Sequence, residues 1–172
     1  MQREITIPNG AKAALEGKKL TVEGKGQKLD REFDMREASM EVKDGKVVVT
    51  SVDESKKSRQ VTGSMEGHVK NMFEGLEHEF VYKLKTEHKH FPLKITVKGE
   101  RVEIGNYLGQ KSVRSARIFP GVKVEVKDSE ITVKGRDVEK TGQTAAGIEN
   151  ASKQSRLCDR KFLDGVYIVE KP

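Results

Sequence analysis

The chain has 172 residues, of which 35% are charged and 5% are aromatic, with no tryptophan and a formal net charge of +6. No apolar run approaches the roughly 20 residues of a membrane helix, and the N-terminal residues lack the apolar segment of a secretory signal. A single cysteine, Cys158, excludes an internal disulfide and suits a reducing compartment. We therefore predict a cytoplasmic protein with no membrane partner.

The first predicted strand is KKLTVEG (18–24), in which polar and apolar residues alternate as they do in half-buried strands. It is followed by MEVKDGKVVVTS (40–51), two strands joined by an Asp-Gly hairpin turn. A helix is predicted next, with Asp53 as its N-cap, because apolar residues then recur every three or four positions. These positions are Val61, Met65, Val69 (or His68), Met72 and Leu76. We predict EFVYKLKTE (79–87) as a strand that closes this set.

The same order of elements then recurs. LKITVKG (93–99) alternates, and VEVKDSEITVKG (124–135) is a second hairpin with Asp-Ser at its turn. A second helix follows, with Asp137 as its predicted N-cap. Its helix-forming positions are Val138, Thr141, Ala145, Ile148 and Ala151. The last predicted strand is DGVYIVEK (164–171).

This recurrence reflects an internal repeat. Residues 41–63 align without gaps on residues 125–147, and the upstream segment 20–24 matches 95–99. The offset is 84 positions in the first match and 75 in the second. We therefore expect nine extra residues in the second copy, in the region of 105–117.

The fold class is predicted to be α+β, with two tandem duplicated domains, 1–82 and 83–172. Each is expected to be a small, mainly antiparallel sheet packed against one helix. Residues 1–82 carry 14 basic and 15 acidic side chains, whereas residues 83–172 carry 19 basic and 12 acidic ones. Because the whole positive surplus lies in the second copy, we interpret the first as the scaffold and the second as the copy that binds a polyanion.

The segment GNYLGQKSVRSAR (105–117) holds two glycines, one lysine, two arginines and no acidic residue. Its composition is compatible with a nucleotide-phosphate cradle, a grip on a polymer of phosphates, or a solvated turn. It resembles the P-loop pattern G-x-x-x-x-G-K-[ST], but its glycines are one residue too close, and Gln110 separates Gly109 from Lys111. A P-loop also opens a helix, whereas this segment leads to a hairpin, so nucleotide hydrolysis is not predicted.

The basic residues of the segment suit a phosphate backbone. Lys111, Arg114 and Arg117 are three apart, a spacing that in a loop or helical turn presents all three to one side. Gly105 and Gly109 would let the main chain approach a ligand closely. A second basic group follows the second helix and comprises Lys153, Arg156, Arg160 and Lys161. Each group alone is also typical of a solvated face, but together they predict binding of folded RNA through phosphate and 2′-OH contacts.

Enzyme chemistry has little support in the sequence. His88 and His90 would share one face of a strand, but no further cysteine or histidine pair completes a zinc site. Cys158 has no base beside it in the sequence that would activate a thiol nucleophile. We therefore predict no enzyme activity, no metal, no cofactor and no small-molecule substrate.

Three segments resemble one known family. GRDVEKTGQTAAGIENAS (135–152) is similar to its G-x-D-x-x-x-x-G-Q-x-A-A-x-I segment, and RKFLDGVYIVEK (160–171) to its C-terminal R-x-F-x-D-G-[hydrophobic]-Y signature. KGERVEIGNYLGQK (98–111) is similar to its loop. With the duplication, these segments make the chain resemble the universal L-six family of large-ribosomal-subunit proteins. The resemblance is to its archaeal and eukaryotic branch, and the compact length and the segment SVRSAR (112–117) favour an archaeal source.

The resemblance implies a structural constituent of the large ribosomal subunit that supports translation. Its second domain would bind large-subunit (23S-type) ribosomal RNA near the sarcin–ricin loop and the base of the factor-binding stalk. Neighbouring ribosomal proteins at the stalk base would be further partners, and the protein would be a monomer within the ribosome. The alternative is a free-standing RNA- or DNA-binding regulator that does not join the ribosome.

The candidate RNA-binding residues come from the basic groups and from the resemblance. They are Gly105, Asn106, Gly109, Lys111, Arg114, Arg117, Lys140, Gln143, Lys153, Arg156, Arg160 and Lys161. Lys140 and Gln143 are included because the resemblance implies that they lie near phosphates at the start of the second helix.

Overall fold

The structure of the chain is a computed structural model. It describes residues 2–8, 10–24, 26–43, 45–153 and 163–172. The chain divides into two compact units, Met1–His78 and Glu79–Pro172. Each described unit combines antiparallel strands with one long helix, so the predicted α+β fold class with two tandem units is confirmed.

In its described residues, the first unit contains six strands and one helix. In chain order these are β1 (Gln2–Thr6), β2 (Ala11–Glu16), β3 (Lys19–Gly24), β4 (Gln27–Glu32), β5 (Ala38–Lys43), β6 (Lys46–Ser51) and α1 (Lys56–Glu77). They form two three-stranded sheets, in the orders β1-β6-β5 and β2-β3-β4. The second sheet is a meander whose tight turns use Gly17 (φ 61°) and Gly26 (φ 75°), because glycine adopts the left-handed conformation without steric cost.

The described part of the second unit contains seven strands, one helix and one 3₁₀ turn. In chain order these are β7 (Phe80–Glu87), β8 (Lys94–Lys98), β9 (Arg101–Gly105), the 3₁₀ turn (Tyr107–Gly109), β10 (Arg114–Arg117), β11 (Val122–Lys127), β12 (Glu130–Gly135), α2 (Val138–Ser152) and β13 (Gly165–Glu170). They form the meander β10-β9-β8 and the four-stranded sheet β11-β12-β7-β13. Each unit therefore has two sheets, where one was predicted, because the three strands of each meander pair only with one another.

The segment 79–87 belongs to the second unit. β7 pairs antiparallel with β12 as β1 pairs with β6 in the first unit, and it also pairs with β13. The prediction that this strand closes the first set was wrong, because its apolar residue Leu84 is buried in the core of the second unit. A boundary after residue 82 would lie inside β7, and the compact units divide instead between His78 and Glu79.

The meanders also correct the alignment of the repeat. The match of LTVEG with ITVKG places β3 on β8, which are not equivalent strands, since β3 and β9 are the two middle strands. At the same ladder position, the amide of Phe33 donates to the carbonyl of Lys18 and the amide of Ile118 donates to that of Glu100, each at 2.8 Å. The acceptors are 82 positions apart and the donors 85. The loop between these two strands is therefore three residues longer in the second unit, and the expectation of nine was wrong.

Each unit buries its own apolar core between its helix and its sheets. The most fully buried side chains of the first core are Leu20, Val22, Val47, Val49 and Val69, and those of the second are Leu84, Val102, Ile104, Ile131, Val133, Ile148 and Val166. The strand residues among them, all except Val69 and Ile148 of the helices, lie on the core-facing side of their strands, as a sheet with one face on the core requires.

The helical spacing in the sequence located both buried helix faces. In α1 the predicted positions Met65, Val69, Met72 and Leu76 are buried, with Val69 and not His68 in the core. In α2 the predicted positions Thr141, Ala145 and Ile148 are buried. Neither helix in the described residues is both long and apolar enough to cross a membrane.

Only one of the two predicted N-caps was correct. Asp137 caps α2, where its side chain accepts hydrogen bonds from the amides of Glu139 at 3.0 Å and Lys140 at 3.4 Å. Asp53 does not cap α1, which begins two residues later than predicted. There the side chain of Ser55 accepts from the amide three residues on, at 3.2 Å, and so satisfies an otherwise unpaired donor of the first turn.

Replacing Asp137 by Ala should lower the free energy of unfolding of the second unit by about 1 kcal/mol, because two amides at the start of α2 lose their acceptor. Asp53→Ala removes the same side chain at the equivalent position of the first unit, and should change stability by less than about 0.5 kcal/mol. Chemical denaturation of the full-length wild type and both variants compares the two. Equal losses would contradict the assignment of the caps.

Candidate nucleic-acid interface

The glycine-rich candidate segment forms the connection between β9 and β10. In the first unit the equivalent strands pair as far as Gly24 and Gln27, at a tight turn. In the second unit pairing stops at Ile104 and Arg114. The residues in between, 105–113, form a longer loop built around the 3₁₀ turn, which we call the 105–113 loop.

The shape of the 105–113 loop depends on left-handed backbone conformations at Asn106 (φ 59°), Leu108 (φ 50°) and Gly109 (φ 74°). Asn106 donates from its side-chain amide to the carbonyl of Pro92 at 2.9 Å, which fixes the start of the turn. A Cβ placed on Gly109 would lie 3.3 Å from the ring of Phe91. Glycine is therefore required at position 109 for two reasons. The residue adopts a left-handed conformation, and it packs closely against a ring of its own chain.

Arg114 fastens this loop to the end of α2. The central carbon of its guanidinium lies 4.0 Å from the centre of the Tyr107 ring, and Tyr107 is only 3% exposed. One terminal nitrogen donates to the carbonyls of Ala151 at 3.2 Å and Lys153 at 3.3 Å, and the other donates to the side-chain oxygen of Gln110 at 3.4 Å. A cation is favourable there because helix C-termini present carbonyls without helical partners.

Lys111, Arg114 and Arg117 do not face one side, and that prediction was wrong. Arg114 begins a strand, in which successive side chains point to opposite faces. Arg114 is half-buried and Ala116 is buried, whereas Ser115 and Arg117 are exposed on the other face of β10. Lys111 is exposed in the loop. A spacing of three gives one face on a helix but opposite faces on a strand.

The predicted residues of α2 lie near its two ends. Lys140 is half-buried, with its ammonium 3.5 Å from the carboxylate of Asp137. Gln143 is exposed, and its side-chain amide donates to Glu139 at 3.5 Å. Lys153 follows the helix and is exposed. The other predicted residues of this basic group, Arg156, Arg160 and Lys161, lie outside the described residues, as does Cys158.

The solvent-facing side of the β10-β9-β8 meander is rich in cations. Its basic residues are Lys94, Lys98, Arg101 and Arg117. Glu103 lies on the same face and forms an ion pair with Lys98 at 2.7 Å. Gly105 lies at the edge of the face. A Cβ added there would meet no atom closer than 3.8 Å, so the neighbouring residues leave room for a side chain at this position. Sequence reasoning missed Arg101, because only the sheet register brings it opposite Arg117.

A buried carboxylate fixes the segment that leads into this meander. Asp164 is 3% exposed, and it accepts hydrogen bonds from the amides of Lys89 at 2.7 Å and His90 at 3.0 Å and from the His90 ring at 2.6 Å. Burial alone would raise the pKa of Asp164, but the bonds from the amide and ring of His90 and from the Lys89 amide outweigh it and lower the pKa to about 2.

This contact gives the connector a structural role. His90, one of the two histidines considered for a metal pair, has its Nδ1 directed at Asp164, and His88 is exposed. Within the described ranges, no cluster of three or more histidine, cysteine or carboxylate side chains could hold a metal ion. The contact of Asp164 with Lys89 and His90 therefore joins the end of β7, the start of β8 and the start of β13.

The charge asymmetry persists, slightly reduced, when it is counted over the two structural units. Counted from the sequence, Met1–His78 carries 14 basic and 14 acidic side chains, and Glu79–Pro172 carries 19 and 13. The first unit is therefore neutral and the second has a net charge of +6. The fold and its charges define a class: a tandem α+β protein in which one copy is neutral and the other is strongly basic.

Comparison with known proteins identifies the family. The family model described as ribosomal protein L6 matches residues 7–78 and 91–165, one match in each unit. The large ribosomal subunit protein uL6 of Aeropyrum pernix is 41% identical over 97% of this chain and 92% of its own length. The proteins of the same name from Halobacterium salinarum and Methanococcus vannielii are 40% and 38% identical, over 98% and 99% of this chain and 95% and 94% of their own lengths.

The chain belongs to the ribosomal protein L6 family. The resemblance found in three sequence segments is confirmed over nearly the whole length of the chain, and these relatives are archaeal, as predicted. Each matched range lies within one of the two structural units, so the family model recognises both copies.

Arg114→Lys should lower the free energy of unfolding of the second unit by about 1–2 kcal/mol. Lysine keeps the charge but has neither the planar group that stacks on Tyr107 nor the fork that reaches two carbonyls. Arg117→Lys, on the exposed face of the same strand, is the control and should cost less than about 0.5 kcal/mol. Hydrogen exchange of the Gln110 amide, which donates to the Tyr107 carbonyl at 3.0 Å, should accelerate only in Arg114→Lys. Unchanged exchange would show that Arg114 does not hold the loop.

Asp164 should make the stability of the second unit sensitive to acid. Because its pKa in the folded protein, about 2, is below the ordinary value of 3.8, its ionised form stabilises the fold above about pH 4 by about 2 kcal/mol, and this is lost as the pH falls towards 2. Asp164→Asn should lose that contribution at pH 7 and flatten the dependence below pH 4. Urea unfolding at pH 7, 4 and 2.5 measures both, with the exposed Asp128→Asn as control. Parallel pH profiles for wild type and Asp164→Asn would refute this role.

Proposed function

We propose that this protein is a structural constituent of the large ribosomal subunit and not an enzyme, and that it binds large-subunit ribosomal RNA mainly through its second unit. The observation that carries this proposal is the near full-length similarity to relatives that are all named as large-subunit proteins. The net charge of +6 on the second unit supports the assignment of RNA binding to that copy.

The mechanism follows from polyelectrolyte physics. RNA carries a condensed layer of counterions, and each phosphate that a lysine or arginine neutralises releases some of them. Binding is then favourable at low salt and weakens steeply as salt is added. The protein would hold RNA helices in their packed arrangement by replacing counterions where phosphates crowd together. For roughly six neutralised phosphates, affinity falls about a thousandfold between 50 and 200 mM salt.

The candidate residues divide into contact residues and residues that shape the site. The proposed phosphate and RNA contacts are Lys111, Arg117, Lys140, Gln143, Lys153, Arg156, Arg160 and Lys161. Asn106 and Gly109 set the path of the 105–113 loop, Gly105 keeps its edge free of side chain, and Arg114 fixes the loop against α2. Removal of a basic contact residue would change the salt dependence of binding, whereas removal of Gln143 or of an uncharged shaping residue would change affinity alone.

We further propose the location implied by the family resemblance. The second unit would lie near the sarcin–ricin loop and the base of the factor-binding stalk, with ribosomal proteins of the stalk base as neighbours. The protein would act as a single copy in the large subunit, in the cytoplasm, where it supports the surface on which translation factors dock.

Binding to large-subunit ribosomal RNA should weaken severalfold in Lys111→Gln, with a decrease of about 1 in the slope of log affinity against log salt, because one phosphate contact is lost. Lys12→Gln removes an exposed lysine from the neutral first unit and should leave both quantities unchanged. Fluorescence titrations of the full-length proteins at several salt concentrations give affinity and slope. Equal effects of the two substitutions would contradict the division of labour.

Cosedimentation with large ribosomal subunits separates the proposal from a free-standing regulator. A constituent of the subunit should remain with it through a sucrose gradient at moderate salt. Tight RNA binding by a protein that stays at the top of the gradient would favour the regulator instead.

A further inference from the structure

Two arginines lie directly opposite each other on the exposed face of the second meander. Arg101 on β9 is the registered partner of Arg117 on β10. The amide of Ile118 donates to the carbonyl of Glu100 just beyond them, so the pair occupies a non-hydrogen-bonded position, where the two side chains come closest, roughly 4.5–5.5 Å apart at Cβ. Like charges placed this way destabilise a sheet. In the described residues, neither arginine has a carboxylate partner.

The first unit has an opposite-charge pair at the equivalent position. There Lys19 on β3 is the registered partner of Glu32 on β4, and its ammonium forms an ion pair with Asp30 at 2.7 Å. The equivalent face of the first unit is therefore neutralised within the chain. The second unit has a like-charge pair where the first has an opposite-charge pair, and an anionic ligand bound between the two arginines would relieve their repulsion.

The surroundings of the pair form an open groove of about 460 Å³, lined by Glu100, Arg101, Ser115 and Arg117. The guanidinium of Arg117 lies 5.7 Å from the centre of the Phe119 ring, within the range of a weak cation–π interaction, and the side chain is exposed. Ser115, between the arginines and the loop, adds a small hydroxyl donor. The groove therefore combines two guanidinium forks, one hydroxyl and one carboxylate.

We propose that this groove binds the ribose–phosphate backbone of RNA. The guanidinium groups of Arg101 and Arg117 donate to the oxygens of a phosphate, and the carboxylate of Glu100 accepts a hydrogen bond from a 2′-OH. This inference rests on the proposed function and deepens it, because it adds Arg101 and Glu100 to the contact residues. It also makes the face of the meander, in addition to its loop, part of the RNA surface.

The carboxylate is the reason to choose RNA over an acidic protein. Arginine forks recognise phosphates and carboxylates alike, so the pair alone does not discriminate. Glu100, however, would repel a ligand whose only recognised groups are carboxylates. The 2′-OH of RNA can donate to it, and this group also distinguishes RNA from DNA.

The test compares equal charge changes at equivalent positions of the two units in the full-length protein. Arg101→Gln and Arg117→Gln should each weaken binding to large-subunit ribosomal RNA roughly tenfold, as loss of a charged hydrogen-bonding group does, and each should reduce the salt slope by about 1. Lys19→Gln is the matched control and should bind within twofold of wild type. Glu100→Gln should lower the preference for RNA over a DNA of the same sequence.

The outcomes are distinguishable. If Arg101→Gln and Arg117→Gln bind with wild-type affinity, the proposal that the groove binds RNA is wrong, while the proposed function remains intact. An equal loss of affinity in Lys19→Gln would show a general charge effect, and the groove proposal would again be wrong. Failure of the wild type to bind would overturn the proposed function and the groove with it. Competition by polyglutamate as effective as that by RNA would assign the groove to an acidic protein.

A second measurement needs no RNA. Because the arginines repel each other in the free protein, Arg101→Gln should raise the melting temperature of the second unit slightly while it weakens RNA binding. A lower melting temperature would mean that Arg101 makes stabilising contacts within the chain, and this would contradict the proposal that the arginine pair is placed for a ligand.

Discussion

The exposed architecture of the second unit depends on the position of one guanidinium. Arg114 is stacked on the buried ring of Tyr107 and donates to the carbonyls at the end of α2, so the loop, the strand and the helix share a single contact. The left-handed residues of the 105–113 loop are costly in an unconstrained chain, and this contact limits the alternatives open to them. The inward-facing guanidinium of Arg114 therefore helps to determine the shape of the exposed surface to which a ligand could bind.

Local patterns were sufficient to predict the fold class, the two tandem units and both helices. The periods of α1 and α2 located their buried faces, and the cap at Asp137 follows from side-chain chemistry at a helix start. Patterns failed where the outcome depended on pairing between distant segments. The alternating strand 79–87 fits either unit, and only its pairing with β12 and β13 assigns it to the second. The prediction that Asp53 caps α1 failed because a second residue that can accept a hydrogen bond, Ser55, lies closer to the first turn.

The candidate site was predictable in composition and not in geometry. The basic bias of the second half and the glycine-rich loop are visible in the sequence, and the loop is where the copies differ in length. The roles of individual arginines were not visible, because a spacing of three means different things on a helix and on a strand. Arg114 faces inward for this reason, and the pairing of Arg101 with Arg117 requires a register that no linear pattern contains. Because strand faces alternate, the two copies keep similar cores while their solvent faces carry different charges.

The position of β13 has a consequence for the order in which the protein matures. This last strand lies beside β7, the first strand of its unit, and Asp164 contacts amides 74 and 75 positions earlier. The first unit, in contrast, has all its described strands before α1. During synthesis the first unit can fold while the second is still emerging, but the second cannot complete its four-stranded sheet until β13 is free. The basic copy therefore gains its final shape only after β13 has been synthesised, so a ligand that needs the fully formed surface can bind only after that point.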